Sequence, residues 1–310
     1  MAGKCRIGMI GLGTMGRNLV LNMADHGFAV AVYDKDPEKA AALGREAGGR
    51  DVRGAATLEE FIGLLDVPRA IMMLVPAGPI VDGVIAELVP RLARGDVLID
   101  GGNSHFTDTD LRAKMLAKEG IAFLGVGVSG GEAGARHGPS IMPGGPKDAY
   151  ERVRPVFEAV AAKVGGDPCV TYLGPGSAGH YVKMVHNGIE YGLMLLISET
   201  YDLMKRGLGL DDDRLHAVYD RWNRGELSGF LMEITARIFL QEDPRTGKRL
   251  VGVRVVTWYG EPPTLVRSLV RTFGYLLSAA LLWLGFIWIG FDREKRGLHD
   301  WIAGTYVVRS

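Results

Sequence analysis

Cysteine is scarce in this chain of 310 residues: Cys5 and Cys169 are the only two. That excludes a disulfide scaffold and a cysteine-rich zinc site. Charge imbalance is absent as well. Lys and Arg number 36 and Asp and Glu number 36, so a nucleic-acid partner held by bulk charge is not expected. No metal is expected either, because His180 and His186 stand six apart rather than at the i, i+4 spacing that puts two ligands on one helical face. The apolar run at residues 7–10 is short and enters a glycine turn directly, unlike a secretory leader. A reducing, cytoplasmic setting is therefore expected for residues 1–250. What the chain has in abundance is glycine. Its 44 glycines are about 14% of the chain, against roughly 7% in an average protein. They follow no G-X-Y period and lie between apolar runs, so neither a collagen helix nor a flexible linker explains them.

The first 180 residues alternate between two kinds of segment. Residues 5–10, 29–33, 70–74, 97–100 and 122–126 read as strands. Residues 15–26, 37–47, 79–92 and 108–119 read as helices between them. This alternation predicts an α/β, doubly wound parallel sheet with helices on both faces. From residue 177 the period changes, and residues 177–206 and 227–240 read as long helices. The expected organisation is a dinucleotide-binding domain over 1–176, a shortened all-α substrate domain over 177–250, and a hydrophobic tail over 251–310.

The tail differs in charge and hydropathy. It holds seven basic and four acidic residues, against 29 and 32 in residues 1–250. From Phe273 to Phe291 it runs 19 residues without a charge, long enough to be a transmembrane helix candidate. Membrane contact through this run is expected. Arg267 and Arg271 precede it, and Arg293, Lys295 and Arg296 follow, so the positive-inside rule gives no orientation.

Gly11-Leu12-Gly13-Thr14-Met15-Gly16 follows the first strand and opens the first helix. In that context the three glycines serve a tight turn, close approach of a pyrophosphate, and helix–strand contact. The free N–H groups at the helix start would meet the phosphates. Asp34 stands 18 residues after Gly16, where a carboxylate can accept the ribose hydroxyls of NAD and repel a 2′-phosphate. Asp36 adds a second negative charge, while Lys35 pulls the other way. Val75-Pro76-Ala77 and the segment Asp100-Gly101-Gly102-Asn103-Ser104 end the third and fourth expected strands, beyond which ligands of such sheets bind.

Two further segments suggest chemistry. The Ser129-Gly130-Gly131 loop can close backbone N–H groups on an oxygen-rich ligand. On a helix, Lys183, His186, Asn187, Glu190 and Tyr191 share one face. Lys183 and Glu190 can act as a base and acid pair where their surroundings push their pKa values apart.

These stretches carry a resemblance. Residues 1–250 resemble the long form of the decarboxylating 6-phosphogluconate dehydrogenases, through IGLGTMGRNL at 10–19, IDGGNS at 99–104, VGVSGGEAGARHGPSIMPGG at 126–145, GHYVKMVHNGIEYG at 179–192 and WNRGEL at 222–227. The resemblance implies oxidation of 6-phosphogluconate by NAD(P), followed by metal-free loss of CO2 to give ribulose 5-phosphate. It casts Lys183 as general base and Glu190 as the acid that protonates the product. It casts Asn103, Ser129, Gly130, Gly131, His186, Asn187 and Tyr191 as holders of the sugar-acid phosphate. Another β-hydroxyacid dehydrogenase, such as one for 3-hydroxyisobutyrate, is the alternative within this class. A membrane-anchored, non-catalytic nucleotide-binding module is the alternative outside it.

The chain departs from this family in two places. Asp34-Lys35-Asp36 stands where the NADP enzymes typically carry Asn-Arg-Thr/Ser, and Pro76 stands where they carry Lys, so NAD is expected over NADP. The family's Lys-Gly-Thr-Gly-Lys-Trp motif, later phosphate-binding Arg and C-terminal tail are not found. Weak or absent turnover and a compromised homodimer are expected in consequence. From about Thr246 the chain instead resembles the C-terminal half of RDD-family membrane proteins, through TGKRLVGVRVV at 246–256, Arg271 and RGLHDWIAGT at 296–305. A fused or mis-joined reading frame near residue 246 is the expected origin.

Overall fold

The computed structural model describes residues 3–242, the strands Val253–Thr257 and Thr305–Arg309, and Val270. The chain divides into two compact units, Met1–Met184 and Val185–Ser310.

The first unit opens with β1 (Ile7–Ile10), α1 (Thr14–Asp25), β2 (Val30–Tyr33), α2 (Pro37–Ala47), β3 (Val52–Gly54) and α3 (Leu58–Gly63). It continues with β4 (Ala70–Met73), α4 (Pro79–Leu88), a 3-10 turn at Val89–Arg91, β5 (Val97–Asp100) and α5 (Phe106–Lys118). Then come β6 (Ala122–Ser129), α6 (Gly131–His137), β7 (Ser140–Gly144), α7 (Lys147–Val160), and the short pair β8 (Lys163–Val164) and β9 (Asp167–Pro168). The helix α8 (Ala178–Asp202) begins in this unit and ends in the next.

Seven strands make one sheet in the order β3-β2-β1-β4-β5-β6-β7. All neighbours are parallel except β7, which runs antiparallel to β6. The all-parallel sheet expected from the alternation is corrected at this edge. A short helix cannot cross back to a parallel position, so the chain after β6 hairpins instead. Pairing with β7 also carries β6 through to Ser129, opposite Ser140. Gly127, Val128 and Ser129 are therefore strand, and the expected loop begins at Gly130.

Alternation along the strands fills two apolar layers. Met9, Val32, Met72, Ile99 and Leu124 pack beneath α1 and α7 with Leu19, Met23, Val153 and Phe157. On the other face Ile10, Ile71, Met73, Leu98 and Phe123 pack with Phe61, Val84, Ile85 and Leu116 of α3, α4 and α5. Each such side chain, fully buried, contributes roughly 1.5–3 kcal/mol. The helix starts follow local chemistry. Asp36 caps α2 by accepting from the Glu38 N–H, ahead of Pro37, and Thr57 caps α3 by accepting from Glu60.

The second unit holds the remainder of α8, a π-helical turn at Leu203–Gly207, α9 (Asp212–Asn223) and α10 (Phe230–Ile238). Tyr219 is fully buried, with Leu215, Ala236 and Phe239 around it, and donates to the Ile197 carbonyl. The helix expected to run to residue 206 leaves α-helical bonding after Asp202, where Leu203–Gly207 winds as a wider π-helical turn ahead of Gly209. The strand β10 (Val253–Thr257) pairs antiparallel with β11 (Thr305–Arg309). The run from Phe273 to Phe291 lies outside the described residues. Among the described residues, no helix is long and apolar enough to cross a membrane.

Candidate active site

Because β1, β2, β4, β5 and β6 run parallel, the segments that leave their carboxyl ends gather along one edge of the sheet. The order reverses there, β2 lying on one side of β1 and β4 on the other, which opens the crevice where ligands of such sheets sit.

The first segment is the glycine turn. Gly11 has φ of 93°, and a Cβ on it would come 2.4 Å from the Leu74 carbonyl oxygen. A Cβ on Gly16 would come 1.9 Å from the Gly11 oxygen. Both glycines are demanded by the fold. Gly13 is different. Its φ of −66° suits any residue, and a Cβ there would meet nothing within 4 Å. Gly13 and Thr14 are exposed, Met15 is half-buried and Leu12 is buried. No side chain caps α1, so the N–H groups of its first turn remain open to an acceptor.

Asp34 lies just past β2. Its Oδ2 accepts from the Leu12 N–H at 2.7 Å, and its Oδ1 accepts from the Asp36 N–H at 3.0 Å. The carboxylate is thus locked beside the glycine turn, with Lys39 Nζ 3.5 Å from Oδ1. Asp36 is exposed and occupied in capping α2. Lys35 pairs with Glu87 at 3.1 Å. Past β4, Val75 is half-buried while Pro76 and Ala77 are exposed.

Past β5, Asn103 is exposed, and the turn that carries it is held from below. A Cβ on Gly102 would meet the Val75 carbonyl oxygen at 3.1 Å, so the segments after β4 and β5 touch. The fully buried Asp100 accepts from the Gly102 N–H at 3.0 Å and from the Ser104 hydroxyl at 2.6 Å.

Past β6, Ser129 is buried, Gly130 has φ of 124° and Gly131 has φ of 60°. Over this strand lies the start of α8. Gly179 fills a notch where a Cβ would come 2.1 Å from the Gly125 oxygen, 2.3 Å from the Met142 oxygen and 2.6 Å from the Gly144 nitrogen. One turn on, the buried Lys183 lays its stem on Gly127, where a Cβ would come 2.5 Å from the Lys183 Cβ and 2.9 Å from its Cγ. Between them the buried His180 has its Nδ1 2.6 Å from the Thr109 hydroxyl. Burial pushes its imidazole below its ordinary pKa, with Asp100 opposing and Arg112 reinforcing.

The other expected site residues fall in the second unit. The His186 ring lies 3.2 Å from the Asn187 side-chain oxygen and 3.7 Å from the Glu190 carboxylate. Tyr191 is exposed. Among the described residues, no group of three or more His, Cys, Asp or Glu could hold a metal ion.

Comparison with known proteins gives this arrangement a family. The model of the NAD binding domain of 6-phosphogluconate dehydrogenase matches residues 6–174. The chain belongs to the 6-phosphogluconate dehydrogenase family. The model of that family's C-terminal domain matches residues 179–257, and the RDD family model matches residues 246–304. The NADP(+)-dependent, decarboxylating 6-phosphogluconate dehydrogenase of Bacillus subtilis is 54% identical over 250 residues, covering 81% of this chain and 53% of that protein. The chain spans about half the length of the relatives it matches. The Plasmodium falciparum 6-phosphogluconate dehydrogenase, solved in its apo form and in complex with NADP+ and with 6-phosphogluconate, aligns with a TM-score of 0.74. It is 46% identical and covers 79% of this chain and 53% of that one. A Salmonella typhimurium 3-hydroxyisobutyrate dehydrogenase aligns at a TM-score of 0.60 and 23% identity, covering 74% and 76%, a likeness of fold alone.

Sequence reasoning missed the polar groups that brace the site from below: the buried Asp100, Ser104, Thr109, Arg112 and His180, and the half-exposed Asp82. One signal was available. Thr109, Arg112 and Leu116 recur at helical spacing on the buried side of α5, so an arginine occupies a core position.

Proposed function

We propose that residues 1–184 bind NAD(P) across the glycine turn and that the chain takes part in oxidative decarboxylation of 6-phosphogluconate. The observation that carries the reading is the buried Lys183, pressed onto Gly127 beside Ser129 and Gly130. Gly13 supports the cofactor half, since neither its backbone angle nor its neighbours require glycine. Close approach of a pyrophosphate does.

The bound dinucleotide supplies a hydride acceptor. Lys183 is the base that takes the proton of the substrate hydroxyl, and Glu190 is the acid that returns a proton after CO2 leaves. Asn103, Ser129, Gly130, Gly131, His186, Asn187 and Tyr191 hold the sugar acid. These roles follow the family motifs, position by position.

The cofactor is NAD in preference to NADP. Asp34 is locked where an adenosine ribose would meet it, and Lys35 is engaged by Glu87. A charge-assisted hydrogen bond contributes about 1.5–3 kcal/mol, so NAD should bind about tenfold or more tighter than NADP. Titration of the purified chain with each cofactor tests this, and Asp34→Asn should erase the difference. Tighter NADP binding by the unaltered chain refutes the preference, and failure to bind either cofactor refutes the site. Turnover is read as CO2 and reduced cofactor formed from 6-phosphogluconate, and Lys183→Met should abolish any that is seen.

A further inference from the structure

Arg112 sits on α5 with its side chain 3% exposed. Its guanidinium is divided between two loops. On one side Nε and Nη2 donate to Asp82 at 2.6 and 3.1 Å, and Nη2 also donates to the Gly78 carbonyl at 3.1 Å. On the other side Nη1 donates to the Ser104 hydroxyl at 3.2 Å and lies 3.6 Å from Asp100 Oδ2. Gly78 is the cap of α4 and directly follows Val75-Pro76-Ala77. Asp100 and Ser104 bracket Gly101, Gly102 and Asn103. One buried cation therefore fixes the two segments that leave β4 and β5, and both carry expected cofactor contacts.

The sheet order gives those segments a distinct share of the ligand. The adenosine end of a dinucleotide belongs to β2 and Asp34, and its pyrophosphate belongs to the glycine turn after β1. The far half then lies over β4 and β5. We propose that Arg112 is a positioning residue for the nicotinamide half of the cofactor, acting by holding the Ala77 and Asn103 segments in register. The proposal rests on the dinucleotide reading above. A planar fork of five donors can serve both loops at once, whereas the compact ammonium of lysine cannot.

The test compares NADH with ADP, which reaches only the β1–β2 half, by titration of the unaltered chain and of Arg112→Lys, Arg112→Met and Asp82→Asn. Both Arg112 variants should weaken NADH by about tenfold or more while ADP changes by less than about twofold. Asp82→Asn, whose side chain is half exposed, should shift NADH in the same direction by a smaller factor. It keeps the test decisive if an Arg112 variant fails to fold. A general structural role would weaken NADH and ADP alike, and that result, or no change in either, overturns the proposal. An unaltered chain that binds neither ligand overturns the dinucleotide reading, and the proposal falls with it.

Discussion

Replacing Gly127 with alanine would add one methyl group where Lys183 rests. The new Cβ would stand 2.5 Å from the Lys183 Cβ, 2.9 Å from its Cγ and 3.3 Å from its Cδ, whereas carbon atoms in contact settle near 3.5–4.0 Å. The Lys183 Cβ is anchored to the helix, so swinging the side chain does not relieve the clash. Sliding the helix does not relieve it either, because Gly179 pins α8 one turn earlier against the backbone of β6 and β7. The stem must lift away from the strand. Overpacking of this kind costs about 1–3 kcal/mol, and at roughly 2–4 °C per kcal/mol for a unit of this size the melting temperature should fall by about 2–12 °C. The same lift should expose the ammonium. Acylation of Lys183 by an amine reagent, followed by peptide mass mapping, should run faster in Gly127→Ala than in the unaltered chain. An unchanged melting temperature with unchanged Lys183 labelling would refute the seating of the lysine on β6.

Two further outcomes are expected. Gly83 is an exposed interior position of α4 where a Cβ would meet nothing within 4 Å. Gly83→Ala should therefore stabilise the protein by about 0.8–1 kcal/mol, read as a raised urea midpoint, and a lowered midpoint contradicts that account. His180 should impose a pH dependence. Burial depresses its folded-state pKa, so its contribution to stability is complete above the ordinary value of about 6.5 and is lost as pH falls below it toward the folded value. His180→Gln should flatten urea midpoints measured across that acidic window, and parallel profiles for the two proteins would remove His180 as the cause.

The cofactor end of the fold was legible because glycine turns, caps and strand alternation sit close together in sequence. Residues 37–47 and 97–100 needed no correction, and the distance from Gly16 led to Asp34, the carboxylate that the Leu12 N–H meets. The region after β6 was not legible. The segment α6 has seven residues, including Gly131 and Gly134, too few to show a helical period. In α7, Tyr150, Val153, Phe157 and Val160 do recur at helical spacing, but Pro155 within it reads as a break. The direction of β7 follows from the short crossover, not from its own residues. Beneath the site, no motif in the sequence marked Asp100 and Arg112 as buried charges. A charged residue reveals its burial only through partners that the fold brings from 12 to 30 residues away.

The notch that receives Gly179 also orders events during folding. Its walls are the Gly125 oxygen from β6 and the Met142 oxygen and Gly144 nitrogen from β7, so no notch exists until those two strands have paired. The start of α8 can form as a helix by itself, but it cannot dock until a hairpin some 35 to 55 residues earlier in the chain is complete, and closing that loop adds an entropic cost to the step. Seating of Lys183, one turn later on the same helix, therefore follows completion of the sheet edge. A chain emerging amino-terminus first would assemble its glycine turn and Asp34 well before the lysine reaches its place.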